Sequence, residues 1–380
     1  RESFAEACLD RRQCVADFVG RAREDDTDRV IENQPVVAVA KDYPGKHVVG
    51  DYTPDRTENS KQLKRAAAKW YVSRSCLSGQ LQMPGRAFRP PYPERNMSTR
   101  NEVIAIAPMM DWTDRHCRYF LRLLSPSARL YTEMITAAAI VHGDADSLLA
   151  FDAAEHPVAV QLGGSDVDWM TRAAVAAANR GYDEININVG CPSDRVQSGQ
   201  FGACLMASPD VVADCFRSMR AAVDVPVTVK TRLGIDDHDS YEFLIRFIEP
   251  LIAAGCGKFI VHARIAILEG LSPKDNRSIP PLNYERVYRL KQDYPDLAIV
   301  LNGGIRDLGQ VDAGLAHVDG VMIGRQAYHD PYFLARIEQH LDPSWPLPDR
   351  QEIVERMLPY IEAQLAAGEK LGRITRHMLG

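Results

Sequence analysis

Eight short apolar runs, alternating with amphipathic stretches, predict an α/β fold in which a closed (β/α)₈ barrel precedes the start of a C-terminal helical domain. Three observations carry this. The runs are apolar nearly throughout, as strands of a parallel sheet covered on both faces are. Helical patterns such as DWMTRAAVAAANRG and SPDVVADCFRSMRAAV separate them. Eight units in about 230 residues match the size of a TIM barrel. An open doubly wound sheet is the alternative, and the count of eight speaks against it.

The elements follow in order. Residues 1–96 are charged and mixed in pattern, and they end in the Pro-rich RPPYPERN. They read as a weakly ordered or non-native extension, and Met97 reads as a natural start. The strand candidates are VIAIA (103–107), ARLYT (128–132), PVAVQL (157–162), EININV (184–189), PVTVK (226–230), KFIVH (258–262), AIVLN (298–302) and GVMIG (320–324). The barrel is expected over 97–342. Residues 343–380, with PDRQEIVERMLPYIEAQLAAGEK, read as a helical domain cut short.

Composition narrows the function. A net charge of −6 argues against a globally basic nucleic-acid binder but leaves room for a local basic patch. The eight cysteines are scattered, without a C-x-x-C pair, and read as reduced thiols of a cytoplasmic protein with no metal site. No run has the length of a membrane span.

A barrel keeps its chemistry where its strands end. Those ends collect Pro108, Met109 and Met110, then Gln161, then Asn188 and Cys191, then Lys230 and Arg232. They continue with His262 and Arg264, Asn302, Gly303 and Gly304, and Gly324 with Arg325. Cys191 lies in a Gly- and Ser-rich loop, where a thiol serves as acid, nucleophile or ligand; elsewhere a free cysteine is commonly a small buried hydrophobe. Glycines after the seventh and eighth strands let backbone N–H groups approach a phosphate, and Arg325 adds charge-assisted hydrogen bonds. Lys230 suits a ring on which negative charge develops, and Gln161 offers both donor and acceptor to a flavin edge. No G-x-G-x-x-G follows a strand, which favours FMN over FAD.

Together, APMMDWTDRHCRYF, YTEM, VQLGG, NVGCPSDRVQSGQFGACLM, VKTRLGID, the His262–Arg264 segment, LNGGI and VMIGR resemble the tRNA-dihydrouridine synthases. The likeness spans Met97 to Gly380. GLSPKDNRSIPPLNYERVY resembles the A-type bacterial branch, which acts on uridines 20 and 20a of the tRNA D-loop. The resemblance implies an FMN enzyme, driven by NADPH, that reduces the C5–C6 bond of uridine. It puts Pro108 to Met110, Gln161, Lys230, His262, Asn302 to Gly304, Gly324 and Arg325 on flavin-binding motifs. It puts Cys191 on the general acid, and Asn188, Lys274 and Arg277 on positions that meet tRNA. Two departures stand out. HARIAIL carries Ile265 and Ile267 where the family often has HARKAWL, and the helical tail is short.

The chemistry agrees. A thiol of ordinary pKa, about 8.5, is mostly protonated near neutrality and can protonate C5. A uracil must leave its stack to reach a barrel mouth. Arg195, Arg232, Lys274, Arg277, Arg373 and Arg376 are candidates for a basic rim, and the chain is expected to be a monomer. Two other functions compete: a free-pyrimidine FMN oxidoreductase of the dihydroorotate dehydrogenase kind, and a non-catalytic RNA-binding barrel.

Overall fold

The computed structural model describes residues 103–378 together with the dipeptides Lys41–Asp42 and Lys46–His47. The expectations for residues 1–96 and for Met97 as a start lie outside the described residues, those dipeptides apart. The chain divides into two units, one of them residues 23–89. What is described of that unit is an antiparallel ladder pairing Lys41 with His47 and Asp42 with Lys46.

In the other unit all eight expected strands close into a parallel barrel. They are β1 (Ile104–Ile106), β2 (Arg129–Thr136), β3 (Val158–Gly163), β4 (Glu184–Val189), β5 (Val227–Arg232), β6 (Lys258–His262), β7 (Ala298–Asn302) and β8 (Gly320–Ile323). The ring closes where Val321 of β8 pairs with Ile104 of β1. Two strands outrun the sequence expectation. β2 continues past Thr132 because a bulge between Tyr131 and Met134 resets its register on β3. β5 continues to Arg232, which pairs with His262.

A helix follows each strand. α1 (Arg115–Leu124), α2 (Ala137–His142), α3 (Val167–Arg180), α4 (Pro209–Ala222), α5 (Tyr241–Ala253), α6 (Tyr284–Asp293) and α7 (Leu308–Leu315) surround the barrel. Their starts are legible: Asp114, Asp166, Ser240, Asn283 and Asp307 cap α1, α3, α5, α6 and α7, and Pro209 opens α4. After β8 come α8 (Arg325–His329), α9 (Tyr332–Leu341), α10 (Arg350–Ala366) and α11 (Leu371–Thr375). Among the described residues no helix is long and apolar enough to cross a membrane.

Strand alternation splits the core in two. Ile185, Ile187 and Val189 of β4 join the large cluster shared with the helices. The opposite parity faces the lumen, where Ala105, Ala107, Tyr131, Ala159, Ile260, Val300 and Met322 form a cluster of their own. The expectation that apolar residues fill every strand body fails on β4 and β5. Glu184 sits in register with Ala159, so Glu184, Asn186 and Asn188 share the lumenal row, and Thr228 pairs with Asn186. Those residues survive burial because each is hydrogen-bonded.

Candidate functional site

Cys191 follows β4 at the barrel mouth, half-buried, with Sγ 3.5 Å from Ser193 Oγ. Its backbone is held on several sides. Asn188 Oδ1 accepts from the N–H of Gly190 at 3.1 Å and of Cys191 at 3.0 Å. The Cys191 carbonyl accepts from Ala203 N–H at 2.9 Å. Gly202 makes that approach possible: its φ is +77°, and a Cβ there would stand 2.6 Å from the Cys191 oxygen. The other described cysteines have different surroundings. Cys117, Cys215 and Cys256 are buried, and burial pushes the thiols of Cys215 and Cys256 up to about 12.

Arg232, expected on the rim, is instead buried. The continuation of β5 past Lys230 places it in the ladder, opposite His262. There its Nε donates to Gly190 O and its Nη1 to Ile265 O and Asn276 O, each at 2.9 Å. It therefore fastens the Cys191 loop to the loop that follows β6. Sequence reasoning missed this staple, because the carbonyls it joins lie far apart in the chain. Asn276 completes it, accepting from Ile267 N–H at 2.8 Å and donating to Ile267 O at 2.8 Å. Lys274 and Arg277 stand exposed on the same loop. Ile265 packs against the core.

The mouth is strongly cationic. Burial, then Arg232, holds the Lys230 ammonium down at about 7. Burial together with Arg232, Lys230, Arg264 and Arg325 pushes His262 well below the usual imidazole range, so it is neutral. No carboxylate figures among these influences. Lys230 and the His262 ring have no hydrogen-bond partner among the described residues, and Arg264 Nε is buried and orphaned. Half-buried cations gathered in this way call for an anionic, acceptor-rich ligand.

The remaining strand-end residues divide. Gln161 is buried and tied to Asn186 and Asn188 at 2.8 and 2.7 Å. Asn302 donates to Met322 O at 2.8 Å, joining β7 to β8. Gly303 and Gly304 have φ of +116° and +75°. A Cβ on Gly303 would lie 2.7 Å from the His262 ring, and one on Gly304 2.5 Å from Leu282. A Cβ on Gly324 would meet nothing within 4 Å, so this glycine borders open space. Arg325 reaches Arg277 O at 3.0 Å and Ser278 Oγ at 3.4 Å. Met109 packs against the lumenal cluster, beside half-buried Pro108, and Met110 is exposed. Arg373 and Arg376, expected on the rim, pair with Glu369 at 3.2 Å and Asp114 at 2.7 Å. The Arg195 side chain lies outside the described residues. No group of His, Cys, Asp and Glu suited to a metal occurs among the described residues.

Comparison with known proteins gives a consistent picture. The model of the dihydrouridine synthase family matches residues 105–380. The chain is 59% identical to a tRNA-dihydrouridine(20/20a) synthase of Shewanella oneidensis over 281 residues, covering 74% of this chain and 84% of the relative. It is 60% identical over 279 residues to the Vibrio parahaemolyticus protein of the same name, covering 73% of this chain and 85% of that one. It is 58% identical over 278 residues to that of Escherichia coli (strain K12), covering 73% and 80%. With the barrel closed, a cysteine at its cationic mouth and identity of this order along most of each relative, the chain belongs to the dihydrouridine synthase family.

Proposed function

We propose that the chain reduces the C5–C6 double bond of uridine in the tRNA D-loop, at positions 20 and 20a, using FMN with NADPH as reductant. The observation that carries this is Cys191 beside a half-buried cluster of cations, Lys230 with Arg232, Arg264 and Arg325 around His262. The donor set fits a flavin. Lys230, His262, Gln161 and Pro108 to Met110 would hold the ring system. Asn302 to Gly304, Gly324 and Arg325 would hold its phosphate. Bound FMN supplies the hydride that C6 receives. Cys191 Sγ–H gives its proton to C5, and the thiolate left behind regains a proton from water. Arg232 keeps the acid-bearing loop in place through Gly190 O. Lys274 and Arg277, exposed beside the mouth, suit RNA phosphates, and Asn188 the entering base.

We assign the catalytic unit to residues 97–342 and tRNA contacts to the helices of 343–380, with residues 1–96 an appendage. A tRNA substrate implies action in the cytoplasm. The purified protein should be yellow, be bleached by NADPH and regain colour with tRNA lacking dihydrouridine. Mapping should then find dihydrouridine at positions 20 and 20a. Turnover of free uracil or dihydroorotate, with tRNA unchanged, would overturn the reading.

A further inference from the structure

A single run of hydrogen bonds descends one wall of the lumen, along β3, β4 and β5, from the Cys191 loop toward the floor of the barrel. Asn188 Nδ2 donates to Gln161 Oε1 at 2.7 Å, and Gln161 Nε2 to Asn186 Oδ1 at 2.8 Å. Asn186 Nδ2 donates to Thr228 Oγ1 at 2.8 Å, and Thr228 Oγ1 to Glu184 Oε1 at 2.7 Å. All five residues are buried.

Both ends dictate the sense of the run. At the top, Asn188 Oδ1 faces two backbone N–H groups, so it must be the oxygen. At the bottom, Glu184 is ionised. Burial works to raise its carboxyl, but Lys258 and Arg129 overcome this and hold it below its ordinary value. Lys258 Nζ is 2.8 Å away and Arg129 3.7 Å. Tyr131 also donates to it, at 2.5 Å. An ionised carboxylate only accepts, so Thr228 must donate. Every amide between is then fixed in one orientation, and each link polarises the next. Gln161 and Asn188 are each left with one uncommitted N–H, so a ligand edge meeting them must bring acceptors.

We propose that Glu184, Thr228 and Asn186 are positioning residues. Through this one-way chain they fix the amides of Gln161 and Asn188, and with them the backbone at Cys191. The role at the mouth rests on the function proposed above; the chain itself does not. Glu184 thereby acts on the site from the opposite end of the barrel without touching a ligand.

The test compares Thr228→Val, which keeps shape and removes the hydroxyl, with Thr228→Ser, which keeps the hydroxyl and loses a methyl. In the flavin-loaded protein, amide hydrogen exchange at Gly190 and Cys191 should rise roughly tenfold in Thr228→Val, the scale of one lost hydrogen bond. Thr228→Ser should exchange like the unsubstituted protein at both amides. tRNA-dependent flavin reoxidation should slow in Thr228→Val and be largely retained in Thr228→Ser, with bleaching by NADPH similar in both. Equal exchange in the two variants overturns the chain, whatever the substrate is. Absence of dihydrouridine from the unsubstituted protein's reaction overturns the function instead. Should Thr228→Val not fold, the unsubstituted protein decides: the Asn186 side-chain amide protons must be protected from exchange, and free exchange there overturns the proposal.

Discussion

On one side of the lumen β1 and β8 present Ala105, Ala107 and Met322; across from them β4 and β5 present Glu184, Asn186, Asn188, Thr228 and Lys230. The backbone is the same parallel ladder on both sides. The apolar wall is satisfied by contact alone and tolerates changes that preserve volume. On the polar wall, every amide must find a partner in the correct orientation or cost stability. The two walls thus separate what holds the barrel together from what prepares its mouth. Lys230 marks the boundary of the second task, half-buried at the end of the polar row.

Substitutions on the two walls should fail in different ways. The largest effect is expected at Cys191→Ala. Flavin retention and bleaching by NADPH should persist, while reoxidation by tRNA slows by about 10²–10⁴-fold, the worth of a positioned general acid. Near-normal dihydrouridine formation would remove Cys191 from the chemistry.

Lys230→Met comes next and is read through pH. With the ammonium held at about 7, the folded protein lacks a proton that the unfolded chain keeps up to its ordinary value near 10.5. Ligand-free stability from this group is therefore lowest below pH 7 and rises between pH 7 and 10.5. An anionic ligand restores the charge and takes up a proton. FMN affinity of the flavin-stripped protein should thus weaken above pH 7, by up to about tenfold per pH unit. Lys230→Met should flatten that dependence; an unchanged slope would assign the proton elsewhere.

A smaller effect is expected at the rim. Lys274→Ala with Arg277→Ala should reduce the slope of log affinity for tRNA against log salt by about 1.5, given roughly 0.7–0.9 per phosphate contact. NADPH oxidation without tRNA should not change. The smallest effect belongs to the apolar wall. Met322→Leu should cost less than about 1.5 kcal/mol in denaturant unfolding and leave the flavin potential as it was. A shifted potential would mean that the walls are not separable.

The outer face of the barrel was legible because Ile185, Ile187 and Val189, and their equivalents, make apolar runs that only a covered parallel sheet explains. The lumen was less so. EININV and VTVKTR carry a period-two polar pattern, yet its meaning depends on which strand lies opposite, and register is not written in one strand. Cys191 and Lys230 were readable as strand-end residues. Arg232 was misjudged as a rim cation because its role depends on three carbonyls from separate loops. Gly303 and Gly304 were singled out for phosphate, and the structure adds a second reason for them in His262 and Leu282.

Asp114 closes α1's first turn, accepting from the N–H groups of His116 and Cys117. The same carboxylate receives Arg376 at 2.7 Å and His377 at 3.0 Å, while Tyr360 stacks on Tyr119 at 3.8 Å between centroids. Burial disfavours the charge, yet His377 and Arg376 hold the carboxyl far below its usual range. During synthesis, then, the helix that follows the first strand emerges long before these partners, which lie 262 residues further on in the case of Arg376. β1 likewise waits for β8 before its second edge is paired. Such long-range closure slows folding. A ribosome releasing this chain would leave the first βα unit unfinished until residues 320–377 have emerged, so this unit stays in need of protection from aggregation while the rest of the barrel is made.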